Sequence, residues 1–154
     1  MEKITFKKIP NDWDIPFHLL LLADPSRKLV EEYIKTWDIR GAYLDKEIVG
    51  VYVLIKKGTN TLEIINIAVD EKFQGKGIWT MMIMNIIQQA RSQWLEKLEI
   101  WTWNSSIAQL ALYQKCWFKI KNIDKGFFLR HYDTPIIENG IPCTDMIHLE
   151  MEII

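Results

Sequence analysis

The sequence predicts one mixed α/β domain of the α+β kind over residues 1–154. Three observations predict it. Runs with strand-like alternation are interleaved with runs carrying a 3.6-residue apolar stripe, and several strand candidates are joined by tight turns, as in hairpins. The third is size, since 154 residues that are 49% hydrophobic and 25% charged suffice for a single core. The 19 basic and 20 acidic side chains leave a formal charge of −1, so nothing electrostatic points to nucleic acid or a membrane surface as a partner. No apolar run approaches the roughly 20 residues of a membrane-spanning helix. Met1–Pro10 lacks a signal-peptide pattern, and the expected location is the cytoplasm. Two cysteines, Cys116 and Cys143, are too few for a disulfide framework. His18, His131 and His148 lack metal-ligand spacing, so no metal is expected.

The elements follow in order. Ile4, Phe6 and Lys8 alternate with Lys3, Thr5 and Lys7 before Pro10, which reads as a first strand. Trp13–Ala23 is an apolar helix interrupted by Pro16. Asp24-Pro25 supplies an acidic cap and a first-turn proline for a second helix, reaching about Thr36 through Leu29, Val30, Tyr33 and Ile34. Ala42–Leu44, the turn Asp45–Glu47 and Ile48–Ile55 form a hairpin, and after Lys57–Asn60 comes Leu62–Val69, an isoleucine-rich strand containing Asn66. A long helix then carries Ile78, Met82, Ile83, Ile86, Ile87, Ala90 and Trp94 on one face. Leu98–Trp103 is a strand, and Ser105 or Ser106 caps a helix holding Leu110, Ala111 and Tyr113. Phe118–Ile123 and Asp145–Ile153 alternate as strands, with an irregular segment over Phe127–Cys143 between them.

The chemical interest centres on Val69–Trp79, where a strand ends, a turn with Gly75 and Gly77 follows, and the long helix opens. Such a turn aims backbone N–H groups into one concavity. The helix N-terminus adds about half a positive charge. Glycine lets phosphate oxygens approach the backbone closely, although a bare pair of glycines also serves turn geometry alone. A Walker A loop is excluded because Lys76 is followed by Gly77. A dinucleotide fingerprint is excluded by Thr80 and by the preceding meander.

In its context the turn resembles the GNAT superfamily of N-acetyltransferases, whose pyrophosphate motif reads Gln/Arg-x-x-Gly-x-Gly/Ala. Gln74, Gly77 and the preceding Ile67-Ala68-Val69 stand where that family places them. Downstream, Leu112-Tyr113-Gln114-Lys115-Cys116-Trp117-Phe118 is similar to the family's Leu-Tyr-x-Lys-x-Gly-Phe. The resemblance covers roughly Gly41–Phe118, and the tail Phe127–Met146 looks like that of a subgroup of small bacterial acetyltransferases. It implies the GNAT fold, a mostly antiparallel mixed sheet of about six to seven strands flanked by about four helices. It further implies acetyl transfer from acetyl-CoA to a primary amine of a small molecule or peptide. The competing expectation is a GNAT-like module that binds acyl-CoA or has lost catalysis, and a homodimer is left open.

By the same resemblance, Gln74, Gly75, Lys76, Gly77, Ile78 and Trp79 would hold the pyrophosphate. The backbone of Ile67, Ala68 and Val69 would bind pantetheine and the thioester carbonyl, and Asn104 would lie near the cofactor arm. Tyr113 matches the family's general acid; its other reading is core packing. Glu63, on the strand that splays in this family, is the carboxylate best placed as general base; its other reading is an exposed strand residue.

Tryptophan is where this chain departs from the pattern. Five of its seven tryptophans (Trp79, Trp94, Trp101, Trp103 and Trp117) stand where related sequences would carry glycine, and a tryptophan codon is one base from a glycine codon. Trp79 matters most, because its indole stands at the helix N-terminus that should meet pyrophosphate.

Overall fold

Seven strands share one sheet in the computed structural model, which describes residues 3–10, 15–24, 26–35 and 37–153. The strands are β1 (Ile4–Lys8), β2 (Asp38–Leu44), β3 (Glu47–Lys57), β4 (Thr61–Val69), β5 (Lys97–Trp103), β6 (Lys119–Asp124) and, after a separate hairpin of β7 (Ile137–Glu138) and β8 (Ile141–Pro142), β9 (Met146–Glu152). Their order is β1-β2-β3-β4-β5-β9-β6, and every neighbouring pair is antiparallel except β4–β5. The parallel pair requires a crossover, and α3 (Ile78–Ser92) makes it. The other helices are α1 (Phe17–Ala23), α2 (Arg27–Tyr33), α4 (Ile107–Lys115) and α5 (Phe127–His131).

The two faces of the sheet bury different helices. Leu62, Ile64, Ile67 and Val69 of β4 join Ile78, Met82, Ile83, Ile86 and Ala90 of α3 in one core. Ala68 joins Leu19, Leu20, Val30 and Tyr33 of α1 and α2 in the other, together with Ile39, Val51 and Val53. A strand that alternated strictly would keep residues 62, 64, 66 and 68 on one face. Here Leu54 pairs with Ile64 and Val53 with Asn66, which leaves Ile65 as an extra residue. The bulge reverses every side chain beyond it.

Several expected boundaries move. α1 begins only after Pro16, because proline is tolerated at a helix start and not inside; Trp13 lies outside the described residues. α2 starts at Arg27 with Ser26 as cap, its Oγ accepting from the Leu29 N–H at 3.4 Å. Asp24 instead accepts from the Ser26 N–H at 3.1 Å, and Pro25 and Thr36 lie outside the described residues. Ser106 stands at the N-cap of α4 but gives its hydroxyl to Glu138 at 2.7 Å rather than to the helix. The segment expected to be irregular holds α5 and the β7–β8 hairpin, so the described α-helices number five.

Trp94 leaves the α3 stripe altogether. The helix ends at Ser92, and Trp94 follows the C-cap with φ 59° and 91% exposure. The Leu95 N–H reaches back to the Ala90 carbonyl at 2.9 Å, the closure of a left-handed helix end. Trp117 repeats this after α4, with φ 76°, 82% exposure and a 2.9 Å bond from the Phe118 N–H to the Tyr113 carbonyl. Trp79, Trp101 and Trp103 sit in ordinary helix or strand backbone and make ring contacts.

Candidate functional site

The parallel ladder between β4 and β5 runs only from Thr61–Lys97 to Ile64–Ile100. Beyond it the strands part, starting at the Ile65 bulge, and the β5-facing edge of β4 from Ile65 to Val69 loses its strand partner. The opening is a cleft of about 460 Å³. Ile65–Val69 line one wall and Trp101, Thr102 and Trp103 the other, and Tyr113 also faces the space. One orphaned carbonyl is satisfied inside the chain, since Gln74 Nε2 donates to Val69 O at 3.2 Å.

At one end the cleft meets the glycine turn. Gly75 and Gly77 have φ of 78° and 80°, and a Cβ built on either meets nothing within 4 Å. Gly77 is the N-cap of α3, so no side chain caps that helix, and its first turn contains no acidic residue. The first N–H groups of α3 therefore point into open space with the positive end of the helix dipole behind them. Such a helix end can receive an anion such as phosphate. Ile78 turns its side chain into the core at 4% exposure and contributes backbone only. Lys76 Nζ lies 5.3 Å from the Phe73 ring centroid, within reach of the turn's rim.

Trp79 points inward. It lines the cleft, and its ring meets Tyr113 edge-on at 6.5 Å and 67°. Tyr113 is 4% exposed and is flanked on another side by Phe118 at 6.0 Å. Burial pushes its phenol well above the ordinary tyrosine range, with the nearby Cys116 adding to the effect. The hydroxyl therefore stays protonated at neutral pH, the form a proton donor needs.

Glu63 is buried, at 7% exposure, and not on the surface. It lies beside Glu99 in the parallel register, and Glu99 lies opposite Glu150. Two bases share these three carboxylates. Lys57 Nζ sits 3.0 Å from Glu63 Oε1 and 3.9 Å from Glu99 Oε1, and His148 Nε2 sits 2.9 Å from Glu99 and 3.8 Å from Glu150. The 2.9 Å contact is close but not aligned as a hydrogen bond. Lys57 is partly withdrawn from water, which lowers its pKa; Glu63 and then Glu99 outweigh that and hold it above its ordinary value. His148 also stacks on Trp101 at 4.4 Å and 20°, which ties this polar group to the cleft wall.

The Asn104 side chain is committed elsewhere. Its Oδ1 accepts from the Thr144 and Asp145 N–H groups at 2.9 Å each, and its Nδ2 donates to Pro142 O at 3.1 Å. It braces the β8–β9 connection beside the cleft. Glu138, in the same lining as Ser106 and Gln109, accepts hydroxyl bonds from Ser105 at 3.1 Å and Ser106 at 2.7 Å. No local pattern links Glu138 to those serines, because more than 30 residues of chain intervene. Among the described residues no group of three His, Cys, Asp or Glu is placed to hold a metal ion, and no helix is long and apolar enough to cross a membrane.

An uncapped helix end with an open glycine turn lies beside a strand edge unpaired over five residues, an arrangement that can serve a group transferase whose donor carries phosphate. The chain belongs to the acetyltransferase (GNAT) family, whose model matches residues 8–118. It is 45% identical over 153 residues to the Bacillus subtilis (strain 168) protein named "Uncharacterized N-acetyltransferase YvbK", covering 99% of each chain. A GNAT family acetyltransferase from Elizabethkingia anophelis with acetyl-CoA bound is 47% identical, with TM-score 0.91 and 97% of both chains covered. An IAA acetyltransferase from Bacillus cereus ATCC 14579 is 45% identical, with TM-score 0.89, covering 97% of this chain and 99% of that one. The protein is an acetyltransferase.

Proposed function

We propose that the acceptor is a primary amine of a small molecule or peptide, acetylated in the cytoplasm by Glu63 as general base and Tyr113 as general acid. The observation that carries this reading is the parting of β4 from β5 beyond Ile64–Ile100, which puts an unpaired strand edge and the Tyr113 phenol on one cleft. Acetyl-CoA supplies an activated thioester, and this chain's residues do the rest. The N–H groups of Gly77–Thr80 receive the pyrophosphate. The free edge of Ile65–Val69 lies along the arm, where an aimed N–H is worth about 3 kcal/mol to a developing oxyanion.

The acceptor nitrogen forms a bond to the acetyl carbon as the carbon–sulfur bond breaks. An acceptor that arrives as an ammonium loses two protons. The first passes before attack to the Glu63 carboxylate, by way of water because Glu63 lies outside the cleft lining. The second leaves the nitrogen once the new bond has formed and restores the Tyr113 hydroxyl, which has given its own proton to the departing sulfur. Besides the Tyr113 phenol, the ionisable residues lining the cleft are Glu71 and Glu138, with no lysine or arginine among them, and Glu63 lies outside that lining. Such a lining suits an acceptor that arrives as a cation, and Trp101 and Trp103 offer it aromatic faces. Both described cysteines are free thiols, in keeping with a reducing compartment.

The test is a thiol-release assay with acetyl-CoA over a panel of primary amines, aromatic amines, polyamines, amino sugars and peptide N-termini, run beside calorimetric titration of acetyl-CoA. Turnover on at least one amine is expected. Coenzyme binding with no turnover on any of them would overturn the reading in favour of a binding module.

A further inference from the structure

Glu138 lines the cleft from the β7–β8 hairpin, which is tied down where β5 turns into α4. Asn139 Nδ2 donates to Ser105 O at 2.9 Å, and Asn104 Nδ2 to Pro142 O at 3.1 Å. The half-buried Glu138 carboxylate is itself held through one oxygen. Its Oε1 accepts from the Ser105 hydroxyl at 3.1 Å and the Ser106 hydroxyl at 2.7 Å, and both serines are buried. A serine at a helix N-cap ordinarily accepts from the first turn, which stabilises the helix. Ser106 makes no such bond and gives its proton to Glu138 instead. The other oxygen, Oε2, has no hydrogen-bond partner among the described residues and is not sealed from solvent. No ion pair among those residues includes Glu138. A carboxylate braced on one side, open on the other and without a cation beside it suits a cation that the ligand brings.

We propose that the Glu138 carboxylate holds a second ammonium group of the acceptor, so that the enzyme selects diamines over monoamines. This rests on the amine-acetyltransferase reading above. The two nitrogens of such an acceptor have different needs. The one to be acetylated must shed its charge and reach the thioester beside Tyr113, whereas the other keeps its charge and needs only a fixed anion. Tyr113 and Glu138 line the same cleft. Trp79 and Phe118 pack the phenol, and the two serines brace the carboxylate, so the span between them is set by the fold. One chain length should therefore fit best. Glu71, the other carboxylate of the lining, is exposed and stands just before the glycine turn, at the end that would meet the pyrophosphate.

The test measures kcat/KM for straight-chain diamines of increasing length, each beside the monoamine that carries a methyl group in place of the second ammonium. At the best length the wild-type chain is expected to favour the diamine by about tenfold or more, beyond what two equivalent ends supply. Added salt should shrink that preference, because the contact is ionic and open to water. Glu138→Gln keeps an oxygen for the serine hydroxyls and removes the charge, so it should abolish most of the preference, whereas Glu71→Gln should retain it. A ratio is read per active molecule, so loss of folded protein leaves it unchanged, and the salt series needs no variant. If the wild-type chain treats diamine and monoamine alike at every length, the proposal is overturned and the amine reading stands. It is overturned equally if Glu138→Gln slows both acceptors by one factor, which would make Glu138 a brace for the hairpin. Weaker acetyl-CoA binding by Glu138→Gln in calorimetric titration, with the diamine preference intact, would assign the carboxylate to the coenzyme and also overturn it. If the wild-type chain acetylates no amine at all, the proposal falls together with the reading it rests on.

Discussion

Trp94 and Trp117 occupy the same place in two different helices. Each is the residue after a C-cap, each is left-handed with φ of 59° and 76°, and each leaves its indole in solvent. Left-handed backbone brings a Cβ against the following carbonyl and costs an L-residue roughly 1–2 kcal/mol, which glycine does not incur. Trp94→Gly and Trp117→Gly are each expected to stabilise the fold by about 1 kcal/mol and to raise Tm by about 2–4 °C in a thermal melt. An intact-mass spectrum of protein from the native host belongs with this experiment. A mass lower than that of this sequence by several tryptophan-to-glycine differences, beyond the loss of an initiator methionine, would show glycine at those positions.

Trp79 is different, because its ring is inside the cleft against Tyr113. Trp79→Gly is expected to tighten acetyl-CoA binding by clearing space beside the uncapped end of α3. Glycine in a helix costs about 0.5–1 kcal/mol relative to alanine, and the ring contact is lost as well, so Tm should fall as affinity rises. Calorimetric titration and a melt on the same preparation check both. Unchanged or weaker binding would mean that the indole contributes to holding the coenzyme.

Tyr113→Phe keeps the ring contacts with Trp79 and Phe118 and removes only the hydroxyl. Turnover should fall between about 10²- and 10⁴-fold with acetyl-CoA affinity unchanged. The sign of the pH effect follows from burial. The phenol is held above its ordinary value of about 10, so the donor form persists beyond that pH and the wild-type rate should show no tyrosine-like loss on approaching it. A stopped-assay pH profile reads this, and a Tyr113→Phe chain as fast as wild type at every pH would take the phenol out of the reaction.

Glu63→Gln preserves the shape of the side chain and removes its capacity to take a proton. A fall of about 10²-fold or more is expected at neutral pH, where the acceptor amine is protonated. The deficit should shrink as pH nears the amine's own pKa, about 10 for an alkylamine, because free amine then no longer needs a base. A deficit constant with pH would show that Glu63 serves only its 3.0 Å ion pair with Lys57.

These expectations draw on two kinds of information. Local order was legible from residue types: the 3.6-residue stripe Ile78, Met82, Ile83, Ile86 and Ala90 is the buried face of α3, and β9 alternates as its residues do. So was the glycine turn between β4 and α3, since its positive φ values are requirements on single residues. The places of Trp94 and Trp117 could be suspected from motif mismatch, but only the backbone showed that both are left-handed. The floor of the site followed another rule. The apolar run Leu62–Val69 contains no alternation that would mark Ile65 as the extra residue, because both faces of β4 are covered and every position but Glu63 and Asn66 is apolar. Pairing with Val53 and Leu54 on a neighbouring strand creates the bulge, turns Asn66 toward Leu20 and Tyr33, and coincides with the end of the β5 ladder. Composition and period act within a few residues along the chain, whereas register is chosen by partners across the sheet. The residues that line the cleft were therefore readable one by one, and their common orientation arose when β4 settled between β3 and β5.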